Sequence, residues 1–147
     1  MKQLVKRVLV CYDGSEGSKK ALELAKHLAR LDEQTEFDFL SVIKIQLPYD
    51  MYPGALIMDE QSLVTEYETY ADGLLDGVVK EWGLPNPIHS YVVEGSPVEE
   101  ILSFAKKGKN DLIIIGNRSL SPVKELFLGS VSHHVAQQAA CPVLIAK

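Results

Sequence analysis

The chain has 147 residues, of which 46% are hydrophobic and 24% charged, and its formal net charge is −5. This length and composition fit one globular domain with a sizeable core, so we expect residues 1–147 to form a single domain. A negative net charge argues against a general nucleic-acid binder, which would carry a basic patch. No apolar run approaches the ~20 residues that span a bilayer, and none is long enough for a signal peptide. The expected location is therefore cytoplasmic, away from membranes.

The two cysteines, Cys11 and Cys141, each lie in an apolar strand pattern. Since the cytosol is reducing, we interpret both as small buried side chains rather than as a disulfide or a metal pair. His133 and His134 are adjacent in a predicted helix, where they point about 100° apart and cannot chelate one metal ion together. The sequence shows no zinc signature, and the prediction is that no metal site is present in the protein itself.

Five short apolar segments alternate with segments of helical period. The predicted strands are Val8–Tyr12, Phe37–Ile43, Ile88–Val93, Leu112–Ile115 and Pro142–Ala146. Four helices are predicted between them: one after Asp13-Gly14-Ser15, one over Asp59–Trp82, one after Ser96 and one from about Ser130 to Ala139. This alternation predicts right-handed crossovers and a parallel sheet covered on both faces. The stretch from Lys44 to Met58 has no clear period and is read either as a lid or interface element or as a plain mobile loop.

The helical segments carry further signals. The first helix should bury a face that includes Ala21, Ala25 and Leu31. The longest helix should bury the face formed by Leu63, Tyr67, Tyr70, Leu74 and Val78. Within it, Gly73 and Gly77 either weaken the helix by roughly 1 kcal/mol each or permit close packing. Ser96–Glu99 reads as a capping box with proline at the first helical position.

The most informative stretch lies between the fourth strand and the last helix, from Gly116 to Ser132. Glycines let a backbone approach a ligand closely, and the N–H groups and dipole at a helix start attract an anion. Ser130 and Ser132 offer hydroxyl donors, and Arg118 offers a charged fork of donors. These features indicate a phosphate-binding loop. Ordinary turn and cap chemistry would produce the same residues, and the loop alone leaves both readings open.

The spacing in this loop resembles that of the universal stress protein family. Nucleotide-binding members carry Gly, two residues, Gly, nine residues, then Gly and Ser or Thr; here Gly116, position 119, Gly129 and Ser130 hold that spacing, with Ser119 replacing the second glycine. The resemblance extends over nearly the whole chain. It also covers Asp13-Gly14-Ser15, Ser41-Val42, Gly95-Ser96-Pro97, Asp111–Gly116 and Cys141–Ile145.

The resemblance implies an α/β fold: a three-layer, doubly wound, five-stranded parallel sheet with strand order 3-2-1-4-5, which is Rossmann-like and similar to the adenine nucleotide alpha hydrolases. In that order strands 1 and 4 are neighbours, so Asp13 and Gly116 should meet at the switch point where ligands bind. The resemblance also implies ATP as the ligand, with Mg²⁺ accompanying it. The implied contacts are Tyr12, Asp13 and Val42 for the nucleoside, and Gly116, Arg118, Ser119, Gly129, Ser130, Val131 and Ser132 for the triphosphate. Ile115 is a further implied contact with the nucleotide.

Ser119 is the departure from the family pattern. If that position requires a positive φ, serine strains the backbone by about 1–2 kcal/mol, whereas its hydroxyl could instead donate to a phosphate. Some family members without the glycine motif do not bind ATP. The two leading hypotheses are therefore an ATP-binding regulatory dimer of the stress response and a dimeric interaction module of the same fold that binds no nucleotide.

The sequence favours a binding protein over an enzyme. It contains no Gly-Lys-Ser/Thr phosphate loop, and no nucleophile with an adjacent base can be named, which leaves only slow ATP hydrolysis open. A phospho-receiver domain is disfavoured because the third strand ends Val92-Val93-Glu94-Gly95, without a phosphorylatable aspartate. By resemblance, and because an apolar edge strand is usually paired or protected, the chain should form a homodimer through the strand at residues 143–146.

Overall fold

The structure is a computed structural model, and it describes residues 3–44, 59–117 and 129–147. Nine elements follow one another: β1 (Arg7–Cys11), α1 (Glu16–Leu31), β2 (Glu36–Ile43), α2 (Glu60–Glu81), β3 (Ile88–Glu94), α3 (Pro97–Lys107), β4 (Leu112–Gly116), α4 (Ser130–Gln138) and β5 (Val143–Ala146). The predicted order of strands and helices is confirmed. Except for Lys44, the predicted loop from Lys44 to Met58 lies outside the described residues.

The described strands form one parallel sheet in the order β3-β2-β1-β4-β5, which confirms the predicted topology. β1 lies at the centre, where Val10 is opposite Phe39 of β2 on one side and Ile114 of β4 on the other. Connections leave β1 in one direction along the sheet and β4 in the other. The carboxyl ends of these two neighbouring strands therefore form a topological switch point.

Helices cover both faces of the sheet, giving three layers. Along β1, Val8 and Val10 belong to the core cluster on the α1 and α2 side, whereas Leu9 belongs to the cluster that contains Ile101 of α3 and Val135 of α4. This alternation follows from the period of two along a strand. Because both faces are buried, the central strands are continuous apolar runs, as the sequence predicted.

The buried face of α2 differs from the predicted one. Val64, Ala71, Leu75 and Val78 are buried, whereas Tyr67 and Tyr70 are 42% and 66% exposed. The prediction was wrong by about one residue, or 100° of rotation, at Tyr67 and Tyr70. Val78 is buried as predicted, and Leu74 is partly buried and packs against the core. Tyrosine has an apolar ring and a polar hydroxyl, so it fits a half-exposed position as well as a buried one. Leu31, at the end of α1, was also wrongly predicted to be buried and is 81% exposed.

The start of α3 confirms one prediction and corrects another. Ser96 is the N-cap residue and Pro97 occupies the first turn, as expected, but the side chain of Ser96 makes no capping hydrogen bond within the described residues. By contrast, Ser15 and Asp59 accept hydrogen bonds from Ser18 N and Ser62 N at 3.2 and 2.7 Å. The α3 N-terminus instead has acidic residues in its first turn, which suit the positive end of the helix dipole.

A buried ion pair, not predicted from the sequence, ties together strands at the amino end of the sheet. Asp38 of β2 is 0% exposed and receives two hydrogen bonds from Arg7, from Nε at 2.6 Å and from Nη2 at 3.0 Å. Asn110, just before β4, donates a third at 2.9 Å. These bonds compensate the buried carboxylate and raise the pKa of Arg7 above its ordinary value. They connect β1, β2 and the approach to β4.

The glycines of α2 provide a test of the helix. A Cβ built on Gly73 or Gly77 meets no atom within 4 Å among the described residues, so the close-packing alternative does not hold there. We expect Gly73→Ala and Gly77→Ala each to raise the free energy of unfolding by about 1 kcal/mol, as helix propensity dictates. Urea denaturation monitored by circular dichroism measures this change.

Gly83→Ala serves as the matched control. Gly83 has a φ of +62° and also has room for a Cβ, whose nearest neighbour would be Glu81 O at 3.9 Å. Alanine there should lower stability by about 1 kcal/mol because of backbone strain alone. Loss of stability in Gly73→Ala and Gly77→Ala would show that α2 makes contacts beyond those described.

Candidate functional site

A close backbone approach brings two loops together at the switch point. A Cβ built on Gly116, the last residue of β4, would lie 2.3 Å from the carbonyl carbon and oxygen of Gly17 in α1. A Cβ built on Gly17 would lie 3.2 Å from Asn117 O. Only glycine fits at position 116, since no flexible side chain could yield there. The first turn of α1 therefore lies directly against the end of β4.

A cleft opens at this point between the carboxyl ends of the strands. Its walls include seven of the predicted ligand residues: Tyr12, Asp13, Val42, Ile115, Gly116, Val131 and Ser132. Gly129 and Ser130 lie at the start of α4, next to Val131, but do not form part of the wall. Arg118 and Ser119 lie outside the described residues. The structure thus gathers residues that are about a hundred positions apart in sequence.

The cleft wall also contains residues that sequence reasoning missed. These are Cys11, Ser15, Ser18, Leu40, Pro97 and Ile101. Ser15 and Pro97 both occur in segments singled out at strand ends, so their position after β1 and β3 was a usable signal. Ser18 and Ile101 lie in the first turns of α1 and α3, and only the packing of these helices brings them to the cleft.

One part of the cleft is an apolar slot. Leu40 and Val42 come from β2, Ile115 from β4 and Ile101 from α3, and Pro97 adds a rigid ring. Leu40 and Ile101 are almost completely buried, at 1% and 3% exposure. Such walls suit a flat apolar group that is held between side chains.

Tyr12 contributes to the cleft from the core rather than from the surface. It is 9% exposed, belongs to the core cluster on the α1 and α2 side, and donates its backbone N–H to Leu40 O at 2.9 Å. Burial raises the pKa of its hydroxyl above the ordinary value. Tyr12 is therefore a core residue that also lines the cleft.

Asp13 organises the turn after β1. Its Oδ1 accepts a hydrogen bond from Ser15 N at 2.9 Å across Gly14, whose φ is +81°. The N-cap of α1 is Ser15, so Asp13 stabilises the turn before the helix and does not cap the helix itself. Asp13 is exposed and presents a carboxylate at the wall of the cleft.

The start of α4 presents backbone donors beside the slot. Its N-cap is Gly129, and within the described residues no side chain caps the N–H groups of the first turn. Ser132 is 1% exposed and its hydroxyl donates to Gly129 O at 2.9 Å. The hydroxyl of Ser132 is thus already engaged within the helix, and its backbone N–H is the group directed by the dipole toward an anion. Ser130 is exposed and keeps its hydroxyl at the surface.

Cys11 lies on the apolar side of the cleft. Burial, assisted by the negative charge of Asp13, raises the pKa of its thiol to about 12. The thiol of Cys141 also has a raised pKa, again chiefly because of burial. Both cysteines are free, and each residue as a whole is partly exposed, although the thiol group of Cys11 is itself buried.

The remaining predictions on metals and membranes concern other parts of the chain. His133 and His134 are exposed on α4, and His134 Nδ1 is 2.6 Å from Ser130 O. Among residues 3–44, 59–117 and 129–147, no three His, Cys, Asp or Glu side chains group closely enough to hold a metal ion. None of the helices described is long and apolar enough to cross a membrane.

A doubly wound sheet with a cleft between the ends of β1 and β4 defines the class of α/β proteins that bind ligands at a topological switch point. Comparison with known sequences identifies the family within this class to which the chain belongs. The profile of the Universal stress protein family matches residues 5–147. The chain belongs to the universal stress protein family.

Individual relatives agree with this assignment. The chain is 35% identical to the universal stress protein YxiE of Bacillus subtilis, with 96% of this chain and 98% of that protein covered. Its fold is similar to that of the solved protein MJ0577, with a TM-score of 0.81, 28% identity, and 99% and 97% of the two chains covered. A universal stress protein solved in complex with cAMP is 26% identical, with a TM-score of 0.64 and coverage of 96% and 95%.

The raised pKa of Cys11 predicts that its thiol reacts slowly with alkylating reagents, which attack only the thiolate form. At pH 8 only about one thiol in 10⁴ is ionised at a pKa near 12, against roughly a quarter at the ordinary value near 8.5. We expect iodoacetamide to modify Cys11 about 1000-fold more slowly than a free cysteine, and faster as the pH rises toward 12. Peptide mass spectrometry of timed samples measures the rate.

Protein unfolded in urea is the control, because Cys11 and Cys141 should then react at similar rates. Modification of Cys11 in the folded protein as fast as in the unfolded one would contradict the buried position of the thiol.

Proposed function

We propose that this universal stress protein binds ATP in the switch-point cleft and acts as a nucleotide-responsive regulatory dimer in the cytoplasmic stress response. The observation that carries the proposal is the juxtaposition in one cleft of an apolar slot, the carboxylate of Asp13 and the N-terminus of α4. These three features match the three chemical parts of a nucleotide.

The apolar slot accommodates the adenine base. Leu40, Val42 and Ile101 offer aliphatic contacts to a flat ring, and Val42, near the carboxyl end of β2, adds backbone contacts at the edge of the ring. Asp13, at the mouth of the cleft, is an acceptor for the hydroxyls of the ribose. Ile115 and Tyr12 complete the nucleoside pocket from β4 and β1.

The start of α4 binds the phosphates. The N–H groups of Ser130, Val131 and Ser132 lie at the positive end of the helix dipole, and neither Gly116 nor Gly129 places a side chain beside them. Arg118 adds positive charge and Ser119 a hydroxyl in this proposal, by the family's pattern. Since the chain carries a net charge of −5, such local donors are needed to hold a polyanion.

The family relationship supports an adenine nucleotide as the ligand. The relative solved in complex with cAMP shares 26% of its residues with this chain and covers nearly all of it. Cyclic AMP contains the same base and sugar as ATP, and the longer phosphate chain of ATP would use the donors of α4.

A Mg²⁺ ion bound together with ATP would take its ligands mainly from phosphate oxygens and water. Asp13 and Ser15 are oxygen donors at the cleft, and Mg²⁺ is usually held by one or two carboxylates plus substrate phosphates. The residues present therefore fit a metal that arrives with the nucleotide. In this proposal the ion neutralises phosphate charge.

The same cleft favours binding over catalysis. The described cleft residues provide no histidine or lysine beside a bound phosphate, and Cys11 has a pKa too high to supply a thiolate. We therefore propose a protein whose ligand changes its conformation or partners, with hydrolysis slow if it occurs.

Substitutions at Gly129 test the phosphate site. The residue has φ −57° and ψ 149°, which any amino acid can adopt, and Asp is a favoured N-cap residue, so Gly129→Asp should fold. Its charge would oppose the phosphates at short range, and we expect ATP affinity to fall about 100-fold or more. Isothermal titration calorimetry on protein stripped of nucleotide measures this.

Gly129→Asn is the matched control, since it has nearly the same shape and capping ability without the charge. It should bind ATP better than Gly129→Asp. Absence of heat with the unmodified protein at millimolar ATP would refute the proposed function and favour the interaction module that binds no nucleotide.

The dimer is proposed to form through β5, residues 143–146. This strand is an edge of the sheet, and its outward side chain Leu144 is 40% exposed. Pairing with the same strand of a second copy would cover both edges. Light scattering at micromolar concentration should give twice the chain mass of 16.3 kDa.

Leu144→Lys should shift this equilibrium toward the monomer, because charge on an edge strand opposes pairing. Leu31→Lys, on another exposed leucine away from the edge, should leave the dimer unchanged. A monomeric unmodified protein at this concentration would contradict the dimer without affecting the nucleotide site.

A further inference from the structure

Asn117 lies at a position that the family motif leaves unspecified and that the cleft wall does not include. Its backbone N–H donates to Ala146 O at 2.8 Å, which ties it to the end of β5. Its carbonyl oxygen lies against Gly17 of α1, where a Cβ would approach to 3.2 Å. Its side-chain Oδ1 accepts a hydrogen bond from Gly129 N at 3.0 Å. One residue thus contacts the end of the sheet, the start of α1 and the start of α4.

The bond to Gly129 solves a problem created by a glycine at the N-cap. A Ser, Thr, Asp or Asn at this position would fix the helix start by accepting a bond from the N–H two or three residues later. That bond would consume one of the donors offered to an anion. Gly129 leaves these donors uncapped within the described residues, and it also leaves the first turn without a cap of its own.

Asn117 holds the start of α4 from outside the helix. It binds the N–H of Gly129, which precedes the first turn, and so leaves the N–H groups of residues 130–132 untouched. The anchor is itself fixed, because its backbone is bonded to Ala146 and packed against Gly17. The start of α4 is thereby held in a fixed position relative to the sheet.

The carboxamide is well suited to this role. Its oxygen accepts a hydrogen bond as a carboxylate would, but without a negative charge close to the proposed phosphate site. A hydrophobic side chain could fill the same volume, but it could not accept the bond. Asparagine therefore accepts the hydrogen bond from Gly129 N and places no charge near the proposed phosphate site.

We propose that Asn117 is a positioning residue for polyphosphate binding: it sets the α4 N–H groups in place without occupying them. The inference rests on the proposed function, since it assumes that the phosphates of a nucleotide lie at the start of α4. It concerns the phosphate part of the ligand only. Asn117 does not form part of the cleft wall, so it should not affect recognition of the nucleoside.

The test compares two ligands that differ only in the phosphates. For Asn117→Ala, calorimetry should show ATP affinity reduced about five- to tenfold, as loss of one hydrogen bond to a positioned group implies, with adenosine affinity within twofold of the unmodified protein. Asn117→Leu fills the side-chain volume and removes the acceptor, so it should behave in the same way even if the alanine variant folds poorly.

A double-mutant cycle tests whether the effect passes through Gly129. Gly129→Pro removes the N–H donor at a φ of −57° that proline accepts. In the Gly129→Pro background, Asn117→Ala should have no further effect on ATP affinity, since the bond is already absent. If the losses of ATP affinity from Gly129→Pro and Asn117→Ala were additive, Asn117 would not act through Gly129, and the proposal would be overturned.

The outcomes separate the two proposals. Unmodified protein that binds neither ATP nor adenosine overturns the proposed function, and with it this inference. Unmodified protein that binds ATP while Asn117→Ala and Asn117→Leu bind it equally well overturns the positioning role alone. Equal losses of ATP and adenosine affinity would also overturn it, because they would indicate a general structural role.

Discussion

The approach of Gly116 to Gly17 is the contact on which the functional end of the molecule depends. Because the two backbones touch without intervening side chains, α1 begins directly against the end of β4. This contact places the turn with Asp13 beside the start of the loop after β4. It also sets the carbonyl of Asn117 against α1, from where its side chain reaches Gly129. A methyl group at Gly116 would lie 2.3 Å from the Gly17 carbonyl, so the two backbones would have to move apart.

The two ends of the sheet have different chemistry. At the amino end, Asp38 is fully buried and satisfied by Arg7 and Asn110, and Asp111 accepts hydrogen bonds from the backbone of Lys6 and Arg7. At the carboxyl end, polar groups face a cleft. Breaking a buried pair such as the one at Asp38 is strongly destabilising, so the amino end holds the strands in register. The carboxyl end carries the close glycine approach and helix donors that are uncapped within the part of the chain that the structure describes.

The sequence reveals some of these features and conceals others for physical reasons. Motifs at strand ends can be recognised in the sequence, because parallel strands bring their carboxyl ends to one edge of the sheet. Asp13, Val42 and Gly116, which were predicted at these ends, all lie in the cleft wall. The strand order came from family resemblance and not from periodicity.

The features that were missed depend on packing or on ambiguous residue types. The face of α2 was misjudged because Tyr67 and Tyr70 fit an apolar stripe by spacing yet are 42% and 66% exposed. Asp38 sits between two phenylalanines, where no local rule shows that Arg7 would reach it. The hydroxyl of Ser132 was expected to face a ligand but turns back to Gly129, a choice that only the helix geometry decides.

Gly129 shows how stability and binding compete at a single position. α4 has only nine residues, and a helix of this length depends on its caps and on packing to persist. A glycine there lacks the side-chain hydrogen bond that other N-cap residues provide. Ser, Thr, Asn or Asp would occupy a backbone N–H that the proposed phosphate site needs, and Asp would also repel the phosphates. The bond from Asn117 restores an anchor at a point just outside the helix. The local weakness of the cap is therefore offset by a contact twelve residues away in sequence, which no reading of the helix alone would reveal.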